Sequence, residues 1–464
     1  MPDRLKGFMD ACARGAERVA AADDVFVVAH IDADGISAAA IAALTLDRLG
    51  KKRRVGFYPK FDGDAAGDVN SSPESLVWIV DLGSGYLSSI KRDGVLVTDH
   101  HVPERNWRKG QTQLDSFNAV VHVNPHEFGF DGSTEISGAG VTYLVSRAVD
   151  PANADLAYLA VIGACGDLQD SKDSGLVGIN REILNDAVAT GGIEVARGPR
   201  FFGRDTRPIR QFLQYSSDPA VPGLSGDGVA CSRFLEELGV EERNSDGSRR
   251  SWKDLSPDEA ERISGALLAL LSADDAGKVF GENYDVPGRA RGMGDAKEFA
   301  TLLNSCGRYD DAETGLGICL GEPGAVEAAK ENRAAHRRNI AGALDYVKKN
   351  GLVRTRRVVR YFDSGDAIRD TVVGIVAGML LNDGNWDMPM IAFADSDGGK
   401  KVSARADRSL VSKGLDLSFV MNAAANHVGG DGGGHAVAAG ATIPADAVER
   451  FLDAVEDIVL AQLI

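Results

Sequence analysis

Between Val25 and about Asp170 the chain alternates short apolar runs with stretches of helical period. The runs are VFVVA at Val25, LVWIV at Leu76, GVLVT at Gly94 and AVVHV at Ala119. Each is rich in β-branched residues and lacks strict polar alternation, which is how strands buried on both faces of a parallel sheet read. An Ala-rich stretch over about 35–49 lies between the first two and predicts a helix. The βαβ pattern predicts an α/β fold whose N-terminal domain is a doubly wound, mainly parallel sheet, over residues 1–190.

From about residue 191 to 307 strand-like runs become scarce. Helical segments such as GVACSRFLEELGV and PDEAERISGALLALLSA are joined by polar stretches such as ERNSDGSRRSW, so a mainly helical insertion is expected over 191–310. A long polar helix, about Ala325 to Lys349, serves as a connector over 311–350. A second, smaller α/β domain is expected over 351–464, with RRVVRYF and MPMIAFA as strands and TVVGIVAGMLL as a buried helix. No repeat of fixed period is present.

A chain of 464 residues is too long for one ordinary core, in keeping with several domains. Its net charge of −17 changes the picture more. Phosphate contacts need Lys or Arg, so a nucleic-acid site on this surface has to be a local basic channel or a metal centre. The five cysteines, Cys12, Cys165, Cys231, Cys306 and Cys319, form no CxxC pair and are odd in number. That argues against both a disulfide framework and a cysteine zinc site. The N-terminal twenty residues read as an amphipathic helix and not a signal peptide, and no apolar run is long enough to span a bilayer. A cytoplasmic protein without membrane contact is expected.

The candidate chemistry sits at the ends of the apolar runs. His30-Ile-Asp32-Ala-Asp34-Gly35 follows VFVVA, Asp81 follows LVWIV, Asp99-His100-His101 follows GVLVT, and Asp167 lies in VIGACGDLQD. A lone Asp at such a place is commonly a turn or a helix cap. Four His/Asp positions at the ends of successive apolar segments are another matter, because a parallel sheet would bring them onto one edge, where ligands bind. Such a set suits a two-metal hydrolase, in which a carboxylate links two cations about 3.5–4 Å apart. Mixed imidazole and carboxylate donors favour Mn2+, with Mg2+ the second choice.

Two further segments bear on binding. Gly429-Gly430-Asp431-Gly432-Gly433-Gly434-His435 reads either as a backbone cradle for an anion or as a flexible hairpin loop. Arg197, Arg200, Arg204, Arg207 and Arg210 alternate with Phe201, Phe202 and Phe212, which reads either as a path for a single strand or as a structural link.

These motifs, in this order over about 140 residues, resemble the DHH phosphoesterase superfamily. The resemblance implies two divalent cations: one on His30, Asp32 and Asp81, the other on Asp34, Asp81, His100 and Asp167, with Asp81 bridging. His101 would then contact the scissile phosphate, and Asp99 would orient a histidine. The terminal GGGH and KVSARADRSL at Lys401 are similar to the DHH-associated C-terminal domain, which makes Ser403, Arg405, Gly433, Gly434 and His435 substrate contacts. The layout, including FGRDTRPI, VPGLSG and EFATLLNSCGRYD, looks like the archaeal RecJ-like proteins, among them the nuclease associated with the GINS replication complex. The expectation is a single-strand exonuclease acting on DNA or RNA in replication or repair. The alternatives are a phosphodiesterase for short oligoribonucleotides or cyclic dinucleotides and a replisome scaffold; an inorganic pyrophosphatase is more remote. Phe234, Leu235, Leu238 and Val240 in the insertion read either as a docking surface for GINS or as the insertion's own core.

Overall fold

The computed structural model describes residues 2–105, 120–171, 174–216, 219–309, 311–381, 387–396 and 398–463; Ala119, the first residue of AVVHV, lies outside them. The chain forms two compact units, residues 1–330 and 331–464. No described helix is long and apolar enough to cross a membrane.

The first unit is built on a five-stranded parallel sheet: β1 (Asp24–His30), β2 (Lys52–Tyr58), β3 (Leu76–Val80), β4 (Val95–Thr98) and β5 (Val121–Val123), in the order β2-β1-β3-β4-β5. Alternate residues of each strand feed two cores. Val25, Val27, Trp78, Val80 and Leu96 face one, and Phe26, Val28, Val77, Ile79 and Val97 face the other. This two-sided burial explains the continuous apolar runs. Strand β2, KRRVGFY, gives no such run because it lies at the sheet edge with its first residues half-exposed or exposed.

Helix Ala33–Arg48 is buried over most of its length and is rich in alanine. Its small side chains let it pack against both helix Gly138–Val149 and helix Ala157–Gly166. The apolar segment that precedes Asp167, AYLAVIGACG, is this last helix and not a strand, so Asp167 is its C-cap residue. Asp167 therefore comes to the site from a helix packed on helices Ala33–Arg48 and Gly138–Val149. A short buried apolar run does not distinguish the two structures by periodicity alone.

The insertion has its own core of Ile209, Phe212, Leu213, Leu224, Cys231, Leu235, Val240, Trp252, Ile263 and Leu267. Leu235 and Val240 are buried there, and Phe234 and Leu238 pack against them. The docking-surface reading of these four residues is thereby corrected: the helix Gly228–Glu237 turns its apolar face inward. A two-stranded antiparallel sheet, β6 (Glu194–Pro199) and β7 (Phe280–Asp285), closes the insertion. Two arginines of the Arg/Phe segment are used internally. Arg200 pairs with buried Asp170 at 2.6 Å, and buried Arg204 reaches Asp285 and Asp295, both at 2.9 Å. Residues from Tyr284 to Ala329 then return to the core of the first unit.

The second unit is a six-stranded mixed sheet: β8 (Arg354–Thr355), β9 (Arg360–Asp363), β10 (Met390–Ser396), β11 (Gly399–Arg405), β12 (Asp431–His435) and β13 (Ala438–Ile443), in the order β12-β13-β11-β10-β9-β8. Helix Asp370–Leu381 covers Met390, Ala392 and Ala394 on one face, while Leu417–His427 and Val448–Leu463 cover Val402, Ala404 and Ala441 on the other. Two expectations are refined. RRVVRYF is broken before β9 by a turn in which the Arg356 N–H donates to the Val359 carbonyl at 2.9 Å. The glycine-rich segment is the edge strand β12 and not a loop.

Candidate metal centre

The strands deliver the motif residues to one edge. His30 ends β1, Asp81 follows β3, and Asp99, His100 and His101 follow β4. Asp32 shows how a cap and a ligand can be the same residue. Its Oδ1 accepts from the Gly35 N–H at 2.9 Å and starts the helix Ala33–Arg48, while Oδ2 stands 2.9 Å from His30 Nδ1. Asp34 is wholly buried in that helix's first turn. Its carboxylate accepts from the Gly138 N–H at 2.6 Å and the Ala139 N–H at 3.0 Å, at the N-terminus of helix Gly138–Val149, where a negative charge is favoured.

Asp81 holds the centre. It is 1% exposed and takes a left-handed backbone, φ 55°, which Asp tolerates better than most residues. Its Oδ2 lies 3.6 Å from His30 Nδ1, and its Oδ1 lies 3.2 Å from His100 Nε2. His100 Nε2 is also 3.3 Å from Asp167 Oδ2 and 3.8 Å from Asp34 Oδ2. Among the described residues three sets of side chains could hold a cation, His30–Asp32–Asp81, Asp34–His100–Asp167 and Asp81–Asp99–His100–His101; Asp81 sends one oxygen toward His30 of the first set and the other toward His100 of the second.

These contacts are not hydrogen bonds. Both oxygens of Asp81, His30 Nδ1 and His100 Nε2 are buried and have no hydrogen-bond partner among the described residues. Orphaned polar atoms in a buried site call for an explanation, and an ion is one. Two donors at right angles, each about 2.1 Å from one ion, stand about 3.0 Å apart. Around His30 and His100, the N···O separations to Asp32, Asp81 Oδ1 and Asp167, at 2.9–3.3 Å, match that spacing, and those from His30 to Asp81 Oδ2 and from His100 to Asp34 are wider, at 3.6 and 3.8 Å. His100 Nδ1 donates to the Gly132 carbonyl at 2.6 Å, which leaves Nε2 as the lone-pair atom facing the carboxylates. The residues present therefore fit a pair of divalent cations.

The electrostatics agree. Burial works against charge on every group here. The carboxylates of Asp32 and Asp81 outweigh it at His30, whose pKa is raised to about 11, and those of Asp81, Asp34 and Asp167 raise His100. Burial, reinforced by Asp81, lifts Asp34 and moves Asp167 up to about 7. Burial also opposes ionisation of Asp81, but the two rings beside it hold its pKa below the ordinary value. Without a cation several of these groups keep protons that a ligand set must give up. Cation uptake is therefore expected to release protons, and apparent affinity to weaken as pH falls from about 8 to about 6. Calorimetry in two buffers of different ionisation enthalpy measures the release; a value of zero counts against the ligand set.

Several contributors gave no signal in the sequence. A Cβ on Gly163 would lie 2.7 Å from the Ala139 Cβ and overlap Asp34 Oδ1. Gly138 stands against Asp81 in the same way. Asn304 accepts from the Ala33 N–H at 2.8 Å and steadies the HxDxDG turn from 271 residues away. The small-residue run Ser137-Gly138-Ala139-Gly140 was the one local hint, since small residues at a helix start permit close approach.

In the second unit, register aligns the other candidates. Ser403, Gly440 and Gly433 are paired across β11, β13 and β12, as are Arg405, Ala438 and His435. Directly paired residues share one face, so Ser403, Arg405, Gly433 and His435 line a strip floored by Gly440 and Ala438. Gly434 points to the opposite face, with φ 136°. Burial lowers the pKa of Arg405, whose Nη1 donates to the Ala404 carbonyl at 2.8 Å.

Three family models match in succession: the DHH family N-terminal domain over residues 24–164, the DHH-CID domain over 201–277 and the DHHA1 domain over 355–461. An uncharacterized protein from Methanocaldococcus jannaschii is 29% identical over 444 residues, 94% of this chain and 93% of its own. Among solved structures, RecJ in complex with Mn2+ from Thermus thermophilus matches with TM-score 0.58 and 18% identity, over 98% of this chain and 55% of its own. The chain thus spans about half of that RecJ. CDC45 from Entamoeba histolytica matches with TM-score 0.61 and 10% identity, over 99% and 98% of the two chains. With all three models in order on one chain and the His and Asp motifs of the first gathered at one sheet edge, the chain belongs to the DHH superfamily, with its DHH, DHH-CID and DHHA1 domains in that order along the sequence.

Proposed function

We propose that the protein is a metal-dependent phosphodiesterase that hydrolyses single-stranded DNA or RNA from an end. The observation that carries this reading is Asp81, whose two orphaned oxygens face two different ligand sets. Divalent cations held there would polarise a phosphodiester and offset the charge of its transition state. The chain's own groups do the rest. Asp99, fully buried and held ionised by the His101 ring against the cost of burial, accepts from His101 Nδ1 at 2.8 Å. That fixes a proton on Nδ1 and turns Nε2 outward on a half-exposed ring; the same bond to Asp99 raises the ring's pKa, so that the protonated ring can donate from Nε2 to a phosphate oxygen. In the second unit, Ser403, Arg405, Gly433 and His435 offer donors for a phosphate of the substrate.

End-labelled single-stranded DNA, RNA and a cyclic dinucleotide, each incubated with Mn2+, Mg2+ or Ca2+, test the reading. Mn2+ is expected to support the fastest turnover, because His30 and His100 supply nitrogen, and Ca2+ the slowest. Stepwise shortening of the polymers supports an exonuclease. Turnover of the cyclic dinucleotide alone moves the assignment to a small-substrate phosphodiesterase, and Mg2+ best by a wide margin argues against the ligand set. Arg405→Ala and His435→Ala are each expected to raise KM about tenfold while calorimetric Mn2+ affinity stays intact. Loss of Mn2+ binding in either variant would overturn that division of labour.

A further inference from the structure

Behind the two adjacent histidines, His100 and His101, lie two separate buried hydrogen-bond chains, on residues that no motif singled out. The first leads to His101. Asp99 Oδ1 accepts from the His101 ring and from the N–H groups of His100 at 2.7 Å and His101 at 3.2 Å, while Oδ2 accepts from the Ser84 N–H at 2.9 Å. The Ser84 hydroxyl is 2.9 Å from His122 Nε2 and accepts from Asn124 Nδ2, also at 2.9 Å. The same amide nitrogen donates to the His101 carbonyl at 2.8 Å. His122 Nδ1 is 3.0 Å from Glu127 Oε1. Ser84, Asn124 and Asp99 are fully buried, and His122 is 5% exposed.

Donor counting orders the protons along these bonds. The Glu127 carboxylate only accepts, so His122 Nδ1 carries the hydrogen. With the ring neutral, Nε2 is an acceptor and takes the hydrogen of the Ser84 hydroxyl. The amide of Asn124 spends both N–H bonds, one on Ser84 and one on the His101 backbone. The chain thus grips His101 twice, by its ring through Asp99 and by its carbonyl through Asn124. The second chain serves His100: Gln169 Nε2 donates at 2.8 Å to the Gly132 carbonyl that receives His100 Nδ1, and Asn180 Nδ2 donates to Gln169 Oε1 at 2.6 Å.

We propose that Glu127, His122, Ser84 and Asn124 form a positioning relay that aims His101 at the substrate phosphate and acts on turnover, separately from the Gln169–Asn180 pair that holds the cation ligand His100. The proposal rests on the role given to His101 above. In a relay of this kind the outer members act through orientation, so losing one costs rate without costing the centre its cations.

Ser84→Ala, Glu127→Leu, Glu127→Gln and Gln169→Leu separate the two chains. Ser84→Ala and Glu127→Leu are expected to lower kcat by about tenfold or more, with KM and calorimetric Mn2+ affinity each within about twofold of wild type. Glu127→Gln keeps an oxygen acceptor for His122 and restores kcat to within about threefold. Gln169→Leu is expected to weaken Mn2+ affinity by about tenfold or more. The proposal is overturned if Ser84→Ala and Glu127→Leu both keep wild-type kcat, or if they lose Mn2+ affinity in proportion to rate. Should Ser84→Ala fail to fold, the Glu127 pair decides, since that side chain is only partly buried. His101→Ala with wild-type turnover would instead sink the role of His101. The relay is then judged by the imidazole NMR signals of His101, which shift in Glu127→Leu if the relay positions the ring and stay put if it does not.

Discussion

Asp81→Asn is expected to lose at least about 10^3-fold in hydrolysis, roughly 4 kcal/mol of transition-state stabilisation, while the protein stays folded. The size follows from what Asp81 does. Its two oxygens are buried, face two different ligand sets and have no protein partner among the described residues. Asparagine keeps the shape and tolerates the left-handed backbone at φ 55°. It removes the charge and puts an N–H2 group where one oxygen faced a ligand set. Cooperative thermal unfolding should persist in the variant. The rise in Tm that Mn2+ gives the wild-type protein should shrink, because a ligand stabilises only the state that binds it. Wild-type turnover by Asp81→Asn would remove the basis for a two-cation centre.

Gly138→Ala is the second large effect, and here local and tertiary preferences point in opposite directions. Position 138 is the first residue of helix Gly138–Val149, and alanine is by itself the better helix former. The new Cβ, however, would stand 2.6 Å from the Asp81 Cβ and closer still to its Oδ1. The Gly138 and Ala139 amides hold Asp34 at the same point. The methyl must push the helix start away from the sheet edge, which moves Asp34 and Asp81 together. Turnover is expected to fall about 10^2-fold or more, with weaker Mn2+ binding, at a stability cost of about 1–3 kcal/mol. Gly67→Ala is the control. It lies in helix Gly63–Ser71, and its Cβ would meet nothing within 4 Å, so it should leave turnover unchanged. If Gly138→Ala matched this control, the close packing at the helix start would have no part in the centre.

The sequence by itself determined strands β1, β3 and β4 and the residues proposed for the candidate centre. Strands β1, β3 and β4 are buried on both faces, so their residues are apolar without interruption, and such runs are legible in one dimension. His30, Asp81 and the Asp99–His101 group sit where those runs stop, so finding the strands also finds the edge. Only the tertiary structure decided the rest. Asp167 comes from a helix, because a buried helix ten residues long and a buried strand look alike as apolar runs. The amides that hold Asp34 lie 104 and 105 residues away, and the Asn304 contact to the HxDxDG turn spans 271. Leu235 and Val240 could have faced a partner or a core, and Arg200 and Arg204 could have faced a nucleic acid. Burial among Phe212, Trp252 and Ile263 settled the first pair, and Asp170, Asp285 and Asp295 claimed the second. Backbone patterning shows through as a period along the chain. A hydrogen bond or ion pair between distant residues leaves no period, and is fixed only when the core brings its two ends together.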